Sequence, residues 1–255
     1  MTAVIEQSIP RTEARSRAHE IWRIVRLHAV NPSIFFGVPW LILGSAWAIM
    51  MIIGLIITGA GGPVDDMAKG MRYSWAVLSP QWYLVVVGVQ AIGLTFSFAL
   101  GFGTTRRDFW IGTSMMFGLV SLLNAVAIAT LVQIEKATNG WGVGIAMFDS
   151  LWYGQQGWLV DFYTTLALQL LVLFVGASVT TVYMRWRMRG MMIVMFSAIA
   201  LLLVFVAYQT FSGGWMALFE WFGSIGVVGG FTIVLGFAVA FAVGGYLVIR
   251  RATPR

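Results

Sequence analysis

The chain has 255 residues, 59% of them hydrophobic and only 10% charged. Soluble domains average about 45–50% apolar and about 25% charged, so the composition excludes a soluble globular domain and a disordered chain. The formal charge of +6 does not point to nucleic acid, because the basic residues sit in short clusters between apolar runs, and the absence of cysteine excludes disulfides, thiolate metal sites and cysteine nucleophiles. Arginine outnumbers lysine 14 to 2, a bias that points to a GC-rich bacterial genome.

Residues 1–34 are polar and precede any long apolar run, which predicts a retained anchor rather than a cleaved signal peptide. Within them, Glu13–Val30 predicts an amphipathic helix. Ala14, Ala18, Ile21, Trp22, Val25 and Ala29 share one face, and Arg15, His19, Arg23 and Arg26 share another. A basic helix of this kind lies in the inner headgroup region, either as an anchor alone or as an anchor that also touches a partner. Asn31-Pro32 ends it.

A membrane helix needs about 20 apolar residues, or about 30 Å. Six stretches qualify: Phe35–Thr58, Trp82–Gly103, Gly112–Val132, Phe162–Met184, Met191–Thr210 and Val227–Ile249, none with a charged residue or histidine. The expected fold class is therefore an all-α integral membrane protein of six spans. It comprises a segment 1–34 with the interfacial helix, a membrane domain 35–249 and a tail 250–255.

Loop charge orients the bundle. One side carries thirteen basic residues: five in the N-terminal segment, Arg106 and Arg107, then Arg185, Arg187 and Arg189, then Arg250, Arg251 and Arg255. The other carries Lys69, Arg72 and Lys136. Both termini are expected in the cytoplasm. Trp75, Trp82, Trp152, Trp158, Trp215 and Trp221 cluster near the outer ends, as interfacial side chains should.

The second inner loop, 101–112, holds two arginines, an acid and two aromatics between glycines. Thr105 can cap a short helix there, presenting Arg106, Arg107 and Asp108 to the cytosol, with Phe109 and Trp110 against the membrane end. A topology signal alone needs two arginines and leaves Asp108 and the aromatic pair without a role.

At this loop the sequence resembles the permease subunits of ATP-binding-cassette (ABC) transporters of the type-2 exporter group. That family carries a Gly-x-Thr/Ser-Arg-Arg-x-Phe/Tyr segment after the second span, here Gly103-Thr104-Thr105-Arg106-Arg107-Asp108-Phe109. The outline of elbow helix, six spans and inner termini also matches. The resemblance implies that Thr104, Thr105, Arg106, Arg107, Asp108 and Phe109 form a coupling helix seated on a cytoplasmic ABC ATPase. It implies a smaller second contact at 183–190, with Arg185, Arg187 and Arg189. It further implies that Phe211–Gly226 dips back into the membrane, that a second permease copy or a similar permease completes the transporter, and that ATP and Mg are bound by the partner ATPase and no cofactor by this chain.

Ser212-Gly213-Gly214 is similar to the ABC ATPase signature, but it falls on the outer side and Trp215 follows it. No glycine directly precedes Lys69 or Lys136, so no phosphate-binding loop is present and the chain is not expected to be an enzyme. Ion-driven carriers hold ionisable groups within their spans, and these spans have none, so uphill transport would draw its energy from a separate subunit. The polar residues Gln90, Thr95, Asn124, Gln169 and Gln209 are candidates for a substrate path, against helix–helix hydrogen bonding as the ordinary role. Gly226/Gly230 and Gly236/Ala240/Gly244 are spaced for close helix packing. His19 and His28 both fit an exposed interfacial helix. Asp65 and Asp66 beside Lys69 and Arg72 read as a solvated loop, and Asp149 and Asp161 as single loop acids.

The expected function is a permease half in the bacterial plasma membrane that exports an amphipathic or hydrophobic compound, such as a drug, antibiotic peptide or lipid. The alternative is an ATP-independent channel or accessory membrane scaffold. Partners would be the ATPase, another permease and membrane lipid, and no nucleic acid.

Overall fold

The computed structural model describes residues 16–252. Ala14, Arg11, Arg15 and Arg255, on which parts of the preceding expectations rest, lie outside them. Among the described residues there are helices and turns but no strand. Helix α1 (Arg17–Ala29) starts at Ser16, whose side chain accepts from the His19 N–H. A π-helical turn, Ser33–Gly37, leads into α2 (Val38–Gly59). The short α3 (Val64–Met71) is followed by α4 (Ser79–Gly93), α5 (Phe96–Gly101), α6 (Arg106–Ala137), α7 (Trp158–Phe211) and α8 (Trp215–Ile249).

Five stretches are long and apolar enough to cross a membrane: Ser33–Gly59, Val64–Gly101, Arg106–Ala137, Trp158–Phe211 and Trp215–Ile249. They differ from the expected six because Phe162–Met184 and Met191–Thr210 both fall within α7. At 54 residues, a straight α7 would be about 80 Å long, more than twice a hydrocarbon core of about 30 Å. It is not straight. Arg187 sits at φ 55°, ψ −148°, so the loop expected at 183–190 is a one-residue break in a helix. Gly226 (φ 62°) breaks α8 in the same way, and Phe211–Gly226 is a turn followed by a helical piece over 215–225. The second apolar stretch is interrupted between α4 and α5, where the Thr95 hydroxyl donates back to the Ala91 carbonyl.

Small residues allow the helices to touch. A Cβ added at Gly88 on α4 would collide with the Leu173 and Ala177 backbone on α7, and one at Gly176 would collide with Val85 and Gly88. On α8 the packing glycine is Gly245, against Trp110 and Ser178. The expected stripe of Gly230, Gly236 and Gly244 faces open space instead. The buried stripe is Ala238, Gly245 and Ile249, set about 160° round the helix from Gly236/Ala240/Gly244.

Helix α6 connects the two ends of the bundle. At its start Arg106 donates to the Arg250 carbonyl at 3.0 Å and Arg17 Nε to Asp108 Oδ1 at 3.0 Å, so α1 and the end of α8 meet there. Val182 and Met191, on either side of the Arg187 break, line a cleft with Val248, which places that break toward the same end. At the far end of α6 the segment 138–157 folds over as a cap, where Ile145 packs on Gly54 of α2 and Trp141 meets Trp47 at 5.5 Å.

Candidate functional site

Gly103 takes φ +80°, a conformation glycine adopts freely, and turns the chain from α5 toward α6. Thr105 then caps α6. Its hydroxyl accepts from the Asp108 N–H at 3.1 Å and donates to Asp108 Oδ2 at 2.6 Å. Arg17 takes the other carboxylate oxygen. Thr105 and Arg17 together satisfy both Asp108 carboxylate oxygens.

The cap is as expected, but it opens no short separate helix. Nothing interrupts the helix after Arg106, so α6 runs unbroken to Ala137. Asp108 faces α1 rather than the solvent, and Thr104 is buried. Phe109 and Trp110 are core residues rather than membrane-end residues. Phe109 meets Phe96 at 5.2 Å, and Trp110 packs on Phe174 and Gly245. Arg106 is half-buried under the tail, which leaves Arg107 as the exposed cation of the turn.

Helix α1 crosses α6 at Gly112, where a Cβ would come within 2.6 Å of Ile24 Cβ and 3.0 Å of the Ile21 carbonyl. Its buried residues are Ile24, Val25 and His28, whereas Ala18, Trp22 and Ala29 of the expected apolar face are exposed. The tilt across α6, rather than apolar content, selects the docked face. His28 is thus not an exposed interfacial residue. Its Nε2 is 3.0 Å from Thr113 Oγ1, its ring lies against Phe35 and Phe109, and burial pushes its pKa down to about 4.

Arg185 stacks its guanidinium 4.2 Å from the Trp186 ring centroid, while Arg187 and Arg189 are exposed around the break. Of the candidate path residues, Asn124 is buried and accepts from Trp40 Nε1 at 3.0 Å, Gln169 on α7 is buried, and Gln90 on α4, Thr95 between α4 and α5, and Gln209 on α7 are partly exposed. An apolar cleft of about 580 Å³ between α7 and α8 is lined by Ser178, Val182, Met195, Phe237 and Phe241, and by none of those five.

The far end holds a group that sequence reasoning passed over. Glu135 is 1% exposed. Its Oε1 accepts from the backbone N–H groups of Met147, Phe148 and Asp149 at 2.7–3.0 Å, and its Oε2 accepts from Trp141 Nε1 at 2.8 Å. The loop acids expected to stand alone have partners: Asp149 accepts from Arg72 at 2.9 Å, and Asp161 from the Gly154 N–H at 2.9 Å. The Asp66–Lys69 pair is exposed as expected, at 3.4 Å. A signal for Glu135 was available, since it is an acid directly after an apolar run with a glycine-rich segment, 140–144, to fold back on it.

No family model, no curated protein and no solved structure matches this chain.

Proposed function

We propose that the chain is the membrane-spanning permease subunit of an ATP-driven ABC exporter in the bacterial plasma membrane. In this reading α7 supplies two spans divided at Arg187, giving six in all, with both termini cytoplasmic. Two copies, or one copy and a similar permease, pair with two ATPases that bind ATP and Mg. The cargo is amphipathic or hydrophobic, since the six apolar runs of the sequence carry no charged residue to hold an ionic one.

The observation that supports the reading best is the turn at Thr105. Arg107 projects from it, and three elements are tied to it: α6 directly, α1 through Arg17–Asp108, and the end of α8 through Arg106 and the Arg250 carbonyl. A push on this turn by an ATPase would reach all three together. A topology signal requires none of these ties.

The test is purification of the tagged chain from native membranes, followed by ATP hydrolysis in lipid. Vanadate-sensitive hydrolysis should co-purify with it. A charge-assisted hydrogen bond is worth about 1.5–3 kcal/mol, so Arg107→Glu should reduce the retained ATPase by about tenfold or more. Undiminished coupling in Arg107→Glu, or no ATPase at all, would leave the turn as a topology signal and favour a channel or scaffold.

A further inference from the structure

Between the cap and α3 lies a cavity of about 670 Å³, within the range of small-ligand sites. A second cavity of about 400 Å³ adjoins it, and Arg72, Lys136 and Asp149 line both. The larger cavity has one apolar side, from Leu55, Val64 and Ile145. Leu55 and Val64 are 54% and 39% exposed, so this side opens laterally at the end of α2, where an alkyl chain could enter from a bilayer.

Its five charged residues are not equivalent. Arg72 is paired with Asp149 at 2.9 Å, and Glu135 is satisfied by four N–H groups. Two remain, of opposite sign and on different helices. Lys136 on α6 donates to the Gly154 carbonyl and makes no ion pair within 4 Å among the described residues, the acid that feels its charge being Asp161. An ammonium has three donors, so two are unspent. Asp65 in the first turn of α3 has no cationic partner among the described residues. A monovalent ion would satisfy one of these charges and repel the other.

We infer that this cavity binds the head of a zwitterionic amphiphile. Lys136 takes the anionic group, Asp65 takes the cationic group, and the alkyl chain runs out past Leu55 and Val64. The site stands apart from the transport reading, because binding needs neither ATP nor a partner subunit.

Native mass spectrometry of the full chain in non-ionic maltoside micelles tests the assignment. The probes are dodecylphosphocholine, dodecyl phosphate, dodecyltrimethylammonium and the tail-free glycerophosphocholine. The zwitterionic amphiphile should be retained one per chain, and each singly charged amphiphile at least tenfold more weakly. Lys136→Gln and Asp65→Asn should each weaken the zwitterion about tenfold, the scale of one charge-assisted contact. Ala68→Phe, which fills the cavity and keeps every charge, should abolish the adduct at an unchanged thermal midpoint. Equal retention of the three amphiphiles, or retention unaffected by Ala68→Phe, would overturn the site. Equal retention of glycerophosphocholine would overturn the lateral path for the chain.

Discussion

Arg17 and Asp108 lie 91 positions apart in sequence and meet at 3.0 Å, closing α1 onto the first turn of α6. The contact joins an interfacial helix to the residue that caps a long apolar one, so its two halves are unequal. Arg17 is half exposed, and an exposed ion pair contributes about 0–1 kcal/mol. Asp108 also belongs to the Thr105 cap, worth about 1 kcal/mol by itself. Asp108→Ala should therefore lower the thermal midpoint in lipid more than Thr105→Ala, and Thr105→Ala more than Arg17→Ala. The reverse order would mean that the ion pair rather than the cap secures the turn.

A second expectation concerns helix packing. Gly88 and Gly176 bring the α4 and α7 backbones together, and a methyl on either one meets main chain rather than a movable side chain. Backbone cannot rotate away, so Gly176→Ala should cost about 1–3 kcal/mol or more and reduce folded yield in the membrane. Gly236→Ala meets nothing within 4 Å and should leave yield unchanged. Yield by fluorescence-detected size exclusion separates the two variants. Equal yields would place the α4–α7 contact elsewhere.

These two contacts also show what could be read from the sequence. Apolar run lengths located α2 to within a few residues, but they cut α6 short by five or six residues at each end, started α8 twelve residues late and divided α7 in two. The Thr105 cap follows from residue type alone. The helix faces did not follow. Of the expected apolar face of α1, the crossing at Gly112 buries Val25 and half-buries Ile21 but leaves Ala18, Trp22 and Ala29 exposed, and it buries Ile24 and His28 from outside that face. In a chain this apolar, hydrophobicity hardly distinguishes a lipid-facing side from a protein-facing one, so periodicity loses its force. The same limit hid Gly88 and Gly176, which follow no repeat with the glycines of α8. Glu135 escaped because its partners are backbone N–H groups, which no residue pattern announces.

Arg187 occupies φ 55°, ψ −148°, close to a region that is almost exclusive to glycine and costs about 1–3 kcal/mol for other residues. Arg187→Gly should relieve that strain. Allowing for the greater freedom of glycine in the unfolded chain, the variant should be more stable by about 1 kcal/mol. Arg189→Gly, at an ordinary helical position, should be less stable. Thermal midpoints in one lipid composition decide it, and a destabilised Arg187→Gly would show that the arginine side chain is needed at the break.

His28 gives α1 docking a defined pH dependence. Its pKa falls from 6.5 to about 4 on burial, so the docked state disfavours the proton that the undocked chain accepts. Stability from this group is complete above pH 6.5 and is lost as pH falls from there toward 4, levelling below it. The span corresponds to about 3 kcal/mol. The thermal midpoint should drop between pH 7 and pH 4.5 in the parent protein, and drop less in His28→Gln. Identical pH profiles would assign the acid sensitivity to other groups.

Glu135 supports the cap over the far end of α6 with one carboxylate and four donors. Glu135→Ala leaves all four without an acceptor, and a single buried donor left unsatisfied costs about 1–3 kcal/mol. Glu135→Gln keeps an acceptor for the backbone N–H groups but turns an amide N–H₂ toward the Trp141 indole, which also donates. Hydrogen exchange should therefore accelerate at residues 147–149 by at least about tenfold in Glu135→Ala. Glu135→Gln should fall between it and the parent. Exchange in α1 should not change, because 27 residues of helix, or about 40 Å, separate Glu135 from Asp108. Acceleration at both ends would show that the cap and the Thr105 turn unfold as one unit. Protection retained at 147–149 in Glu135→Ala would show that the cap is held by Trp141, Phe148 and Tyr153 packing alone.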